Sequence, residues 1–388
     1  MMGEKRLVPK KRFQNFIEEW IEISLGDLSD SFQYGLNAES KKFDGKNKYI
    51  RITDIDDDTR LFVKSNLTSP SIDYTVSDDY ILSEGDILFA RTGASVGKTY
   101  KYETSDGKVY FAGFLIKARI KNEYDSEFIF QNTLTKQYNH FVSVTSQRSG
   151  QPGINAQEYS RYKLMIPVLQ EQQKIGEFFK VLDDRIANQE RKIAKVKALK
   201  TAYLTEMFPQ EGETVPNRRF KGFDEDWERH LFSNIMKTHS FKSYLAKPKS
   251  DGKYEVIQQG DTPIVGYSNK SPFKEYSNVV LFGDHTLSLF KPNRPFLIAT
   301  DGIKILEIEK VPGEFLFVLL KKYLPKSEGY KRHFTILQNQ YCYIPSNINE
   351  QHKIGQFFKN LDDQIATEEK KLEKLKKMKE AYLEEMFV

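Results

Sequence analysis

The residues of this chain that could do chemistry lie mainly in three polar stretches. The first, RTGASVGKT (91–99), invites comparison with a phosphate-cradling loop. That loop needs four residues between its first glycine and the Gly-Lys-Ser/Thr, followed by a helix. Here Gly93 and Gly97 bracket only three, and Tyr100-Lys101-Tyr102 reads as a strand. The stretch is therefore expected to be a glycine-rich turn between strands presenting Arg91, Thr92, Ser95 and Lys98, either to phosphates or base edges or in a purely structural hairpin. The second, TSQRSGQPGIN (145–155), is almost free of apolar residues. Arginine suits guanine and glutamine suits adenine, so Gln147, Arg148 and Gln151 are candidate readers; an ordinary surface loop has the same composition. The third is the polar island of LFGDHT (281–286), where His285 and Thr286 follow an apolar strand, with Asp301 nearby in LIATDG (297–302). A nucleic-acid contact and a loop hydrogen bond are both open to His285.

Catalytic constellations are missing. Two Asp-Gly-Lys triplets, 106–108 and 251–253, resemble the end of a nuclease motif but sit in Ser-Asp-Gly-Lys turn contexts. The six histidines have no metal-ligand spacing, and the one cysteine, Cys342, excludes both an internal disulfide and a cysteine-rich zinc site. No Asn/Asp-Pro-Pro-aromatic loop, Gly-x-Ser-x-Gly elbow or kinase set occurs. This points away from an enzyme and toward binding. The net charge of +5 is compatible with a polyanionic partner without requiring one. A lone cysteine, no apolar run long enough to span a bilayer, and a basic N-terminus without an apolar stretch behind it lead to an expectation of a cytoplasmic protein without a membrane partner.

The elements that must position these residues show themselves as a repeat. EQQKIGEFFKVLDDRIANQERKIAKVKALKTAYLTEMF (171–208) returns as EQHKIGQFFKNLDDQIATEEKKLEKLKKMKEAYLEEMF (350–387), with 24 identities and no gap. VPKKRFQNFIEEW (8–20) returns as VPNRRFKGFDEDW (215–227), placing the only two tryptophans, Trp20 and Trp227, in equivalent positions. The openings lie 207 residues apart and the closings 179, so the second variable stretch is 28 residues shorter than the first. The frame repeats while its contents differ.

Each closing segment carries one apolar stripe at spacings of three, four and seven: Ile175, Phe179, Leu182, Ile186, Ile193 and Val196 in the first, Ile354, Phe358, Leu361, Ile365, Leu372 and Leu375 in the second. That is a heptad-like helix face that needs a partner, and its own repeat is the obvious one. About 38 residues at 1.5 Å each give a rod of about 55 Å. The variable stretches read as mixed, with strands at 49–52, 86–90, 279–282 and 296–299. LFARTG (88–93) and LIATDG (297–302) share a strand-Ala-x-x-Gly pattern that suggests one underlying fold.

With Ile-Pro followed by EQxKIGxFFKxLDD and a charged helix ending AYLxEMF, both present twice, the sequence resembles the specificity subunits of type I restriction–modification enzymes. GDILFARTGASVGKT (85–99), VLFGDHT (280–286) and IATDGIKIL (298–306) look like the recurring cores of their target-recognition domains. The resemblance implies an α+β fold of two β-containing recognition domains separated by two long antiparallel coiled-coil helices, a pseudo-two-fold tandem repeat. The expected segments are a first recognition domain (1–166), a central helix (167–208), a second recognition domain (209–345) and a C-terminal helix (346–388). It further implies a non-catalytic subunit that binds double-stranded DNA at a bipartite target. Two methyltransferase subunits would bring S-adenosylmethionine, and motor–nuclease subunits ATP and magnesium. On this view the helices are a ruler, and four residues inserted at Arg191 would change the spacing between unchanged half-sites. The competing reading is a coiled-coil scaffold with two protein-binding domains; it explains the helices equally well but not the divergence of the domains inside a preserved frame.

Overall fold

A computed structural model describes residues 8–148, 150–327, 329 and 333–388. The chain divides into two compact units that are not consecutive segments: residues 1–190 with 371–388, and residues 191–370. Each unit contains an opening segment, a variable α+β region and the two ends of different long helices. Those helices are Leu169–Glu206 and Ile348–Met386.

In the first unit the main sheet is antiparallel, in the order Ser29–Tyr34, Leu115–Ile120, Asp86–Ala90, Thr99–Lys101. Its strand 86–90 is buried throughout, which is why that sequence is a continuous apolar run behind one aspartate. The Asp86 carboxylate is held there by the guanidinium of Arg119 across the sheet. Lys48–Ile50 and Val109–Phe111 form a separate parallel pair. Ile21–Ser24 pairs antiparallel with Lys163–Ile166, which delivers the chain into the first long helix.

The second unit repeats this plan. Its main sheet runs Met236–His239, Ile303–Ile308, Val280–Gly283, Leu289–Phe290. Tyr254–Ile257 and Phe296–Ile298 are the parallel pair, and Glu228–Leu231 with Tyr341–Ile344 leads into the second long helix. Topology corrects one expectation. LIATDG (297–302) is not the counterpart of LFARTG (88–93). Its strand belongs to the parallel pair, so it corresponds to VYFAGF (109–114), and LFGDHT (281–286) takes the place of LFARTG. Local sequence misled because a strand closed by glycine occurs at both places. Another strand is shorter than expected: it stops at Ile50, and Ile52–Asp54 is a 3-10 turn in which Arg51 grips Asp54 with two hydrogen bonds of 2.8 Å.

Within each unit the helix ends pack antiparallel. In the first, Phe178 meets Tyr382 edge-on, Lys379 bonds Asp183 at 2.6 Å and Lys376 bonds Glu190 at 2.8 Å. In the second, Tyr203 meets Phe357, Lys200 bonds Asp362 and Lys197 bonds Glu369 at 2.7 Å. These are the same contacts with the two repeats exchanged. Ile175, Phe179, Leu182, Ile186 and Ile193 are buried, as are Ile354, Phe358 and Leu361, whereas Val196, Ile365, Leu372 and Leu375 are half-buried. Lys192 bonds Glu368 at 2.9 Å beside the half-buried positions, so charge pairs carry the pairing where the stripe thins.

The opening segments explain their own repetition. Arg12 makes a bidentate pair with Glu171, both bonds 2.7 Å, and Arg219 does the same with Glu350 at 2.7 and 2.8 Å. The Lys11 amide donates to the carbonyl of Glu385, and the Arg218 amide to that of Glu206, at 2.8 and 2.9 Å. One short segment thus holds the start of one helix and the last turn of the other. Trp20 packs on Phe128 and Phe387, and Trp227 on Phe315 and Phe208. Gly176 and Gly355 are helical positions where a Cβ would lie 3.1 Å from the Phe128 amide nitrogen or 2.7 Å from that of Phe315, so glycine lets the crossing helices 126–132 and 313–322 approach.

Candidate nucleic-acid interface

In the first unit the chain leaves the buried strand 86–90 and returns at Thr99 through a tight hairpin. The Gly97 amide and the Tyr159 hydroxyl both donate to the Ala90 carbonyl, and the Tyr138 hydroxyl donates to that of Gly97. Gly93 and Gly97 have φ of +73° and +84°, a region costly for residues with a Cβ. At Gly97 a Cβ would also strike Val142 at 2.5 Å. The glycines thus serve the hairpin, and the strand Thr99–Lys101 follows it.

The second polar stretch folds onto this hairpin. The Gly93 amide donates to the Pro152 carbonyl at 3.0 Å, the Ile154 amide to that of Arg91 at 2.9 Å, and Thr92 pairs with Gly153. Gln151 lies over Gly93. Asn155 then caps the short helix Ala156–Ser160 in a reciprocal box with Glu158. Among the described residues, 91–95, 147–148 and 150–153, far apart in sequence, therefore form one surface.

The cations on this surface differ in availability. Lys98 is buried: its ammonium bonds the Ile55 carbonyl at 3.1 Å and the Asp57 carboxylate. The expectation that it reaches out from the turn is corrected accordingly, because the preceding turn aims it into the fold. Arg148 is exposed but engaged, with Glu158 at 2.5 Å and the Thr145 and Gln147 carbonyls at 2.9 Å. Arg91 lies 4.9 Å over the ring of Tyr34, and its guanidinium makes no hydrogen bond or ion pair to the described residues. Gln147 and Gln151 are exposed, and Thr92 and Ser95 half-buried.

The second unit carries the equivalent site with different contents. The amides of Arg91 and Asp284 make matching bonds, to the carbonyls of Phe114 and Gly302, at 3.0 and 2.9 Å. Asp284 is buried, however. Its carboxylate accepts from the Phe334 amide at 2.8 Å, and its carbonyl pairs with the His333 ring at 2.9 Å. The exposed His285 follows it, its amide donating to Gln259 at 3.2 Å; Thr286, also exposed, bonds Ser288 at 2.8 Å, and Ser288 accepts from the Gly260 amide. Asp301 is exposed on the adjoining loop beside Gly302. Three loops (258–262, 284–288 and 299–302) converge here. Reasoning from sequence missed Tyr34, Phe114, which is 62% exposed, and Gln259. Each is far in sequence from the turn it supports, and no local motif marks it.

Among the described residues no group of histidine, cysteine, aspartate and glutamate could hold a metal, and no helix is long and apolar enough to cross a membrane. Asp106 of the first Asp-Gly-Lys triplet accepts from the Tyr100 hydroxyl and pairs with Lys64, each at 2.6 Å; both contacts are structural.

The model of the type I restriction modification DNA specificity domain matches residues 17–198 and again 225–377. The chain belongs to that family. The type I restriction enzyme MjaVIII specificity subunit of Methanocaldococcus jannaschii is 21% identical over 355 residues, covering 82% of this chain and 81% of the relative. The crystal structure of the S subunit of a type I restriction–modification system from M. genitalium superposes with a TM-score of 0.69 at 15% identity, covering 98% of this chain and 99% of that one. The family places two DNA-recognition domains in this specificity subunit, one to each compact unit, and the shared fold extends over both helices.

Proposed function

We propose that this specificity subunit reads a bipartite double-stranded DNA target, one half with each recognition domain, while the paired helices set the gap between the halves. The observation that carries the reading is the equivalence of residues 91 and 284: one position in one repeated frame, with a half-buried arginine over Tyr34 that has no hydrogen-bond or ion-pair partner among the described residues in one unit, and a buried carboxylate bonded to the Phe334 amide in the other. A frame held constant while the contents of its loops diverge is what two different half-sites require. Two linked modules bind through their high effective concentration and reject a spacing the connector cannot match. The exchanged helix contacts offer two equivalent faces, suited to two methyltransferase subunits, which would bring S-adenosylmethionine; motor–nuclease subunits would add ATP and magnesium. The chain itself supplies the address and no catalysis, in the cytoplasm.

The test is co-expression with a methyltransferase subunit and mapping of methylated adenines in host DNA. The expected result is a split motif with a fixed gap. A complex that forms without such a motif would favour a coiled-coil scaffold. The ruler is tested separately. Four residues inserted at Arg191 alone would move Lys200 past Asp362. Seven residues after Glu190 and seven after Lys370 preserve both helix faces to within about 20° and add about 10.5 Å, close to three base pairs. The gap should widen by about three with both half-sites unchanged; an unchanged gap refutes the ruler.

A further inference from the structure

We infer that Arg91 reads a guanine in the half-site of the first unit, and that Tyr34 is the platform that positions it. The inference rests on the two-half-site reading above and deepens it. Three cations lie in the two loops of the first unit's surface: Arg91, Lys98 and Arg148. Lys98 is buried against Ile55 and Asp57, and Arg148 is spent on Glu158 and two carbonyls. Among the described residues, Arg91 alone of the three has a cationic group without a hydrogen-bond or ion-pair partner.

Its surroundings hold it ready. The backbone of Arg91 is fixed on both sides, by the Phe114 carbonyl and the Ile154 amide. The Tyr34 ring, 42% exposed, lies under the guanidinium. Tyr34 is itself anchored, because its hydroxyl accepts from the Ala156 amide at 3.1 Å. A guanidinium held over a ring by the cation–π attraction is limited in where it can move while its outer donors stay free. Two parallel donors on one edge match O6 and N7 of guanine, the one base presenting two adjacent acceptors in the major groove. A phosphate contact would need no such platform. In the second unit the equivalent Asp284 is turned inward, so its half-site is not read by an arginine at this position.

The experiment uses the complex of the full chain with a methyltransferase subunit, binding synthetic duplexes of the motif found in host DNA. Each guanine of the motif is replaced in turn by 7-deazaguanine, which lacks the N7 acceptor. Wild type should lose about 5- to 150-fold in affinity at one guanine of one half-site. Arg91→Ala should bind more weakly overall and be indifferent to that replacement, with the other half-site and the gap read as before. Tyr34→Ala should shrink the N7 dependence, and Tyr34→Phe should largely keep it. Thr286→Ala serves as the control for the opposite half-site. If Arg91→Ala keeps the wild-type N7 dependence at every guanine, or loses affinity equally for all duplexes with that dependence intact, Arg91 is a backbone contact and the inference fails. If Tyr34→Ala leaves the dependence at full size, Tyr34 is not the platform. If wild type yields no split motif at all, the functional proposal fails instead.

Discussion

Substituting Arg12 with alanine should unfold the first unit far more readily while leaving the second untouched. Glu171 has 0% exposure, and both its oxygens are taken by the Arg12 guanidinium. Removing the cation leaves a buried carboxylate without a counter-charge, which costs about 3–5 kcal/mol. Glu171 stands in the first turn of its helix, and the helix dipole there returns up to about 1 kcal/mol. The net loss is then about 2–4 kcal/mol. With a urea slope of about 2–3 kcal/mol/M, the midpoint falls by about 0.7–2 M. The two tryptophans make the assay local, since Trp20 is buried in the first unit and Trp227 in the second. In a Trp227→Phe background the fluorescence of Trp20 reports the first unit; in a Trp20→Phe background Trp227 reports the second. Arg12→Ala should shift only the first signal, and Arg219→Ala only the second. The double variant Arg12→Met/Glu171→Leu should recover most of the loss, because an apolar pair of similar volume replaces a desolvated ion pair at little cost. A shift below about 0.3 M for Arg12→Ala, or a double variant as unstable as the single, would refute the argument that the buried charge sets the cost.

Other consequences can be read with the same two signals. Gly355→Ala should destabilise the second unit by about 1–3 kcal/mol despite the better helix propensity of alanine, because its Cβ would sit 2.7 Å from a backbone nitrogen; urea titration by Trp227 checks it. Pro312→Asp should stabilise that unit by about 1 kcal/mol. In the first unit the Asp125 amide donates to Gln172 and its carboxylate caps helix 126–132, whereas Pro312 has no N–H and leaves the buried Gln351 oxygen without a partner among the described residues. Burial pushes the Cys342 thiol up to about 12 from an ordinary 9.0. A thiol reagent at pH 8 should therefore label it only on unfolding. The folded state holds this proton through a pH range in which the unfolded state loses it, so the contribution is full below about pH 9 and fades as pH rises toward 12. Labelling of the folded protein at a free-thiol rate would contradict the burial.

The sequence by itself determined the frame. Two ungapped copies of a heptad-striped segment, each with an Arg-Phe and tryptophan opening upstream, were enough for two long helices and two similar units, because helix periodicity is local and repetition needs no coordinates. The turn character of 91–98 was equally legible, since glycine spacing and the strand behind it are local facts. What tertiary structure decided was everything that depends on residues distant in sequence. The Arg-Phe opening is repeated because Arg12 and Arg219 must neutralise buried glutamates 159 and 131 residues away, a pairing no local pattern announces. LIATDG resembles LFARTG in letters, yet sheet order assigns it to another strand. Lys98 and Arg91 belong to the same turn, and only packing separates them: the hairpin buries one against Asp57 and leaves the other on Tyr34, 57 residues upstream. Base reading depends on which donors remain unpaired once the loops have closed on each other, and that is a property of the assembled surface.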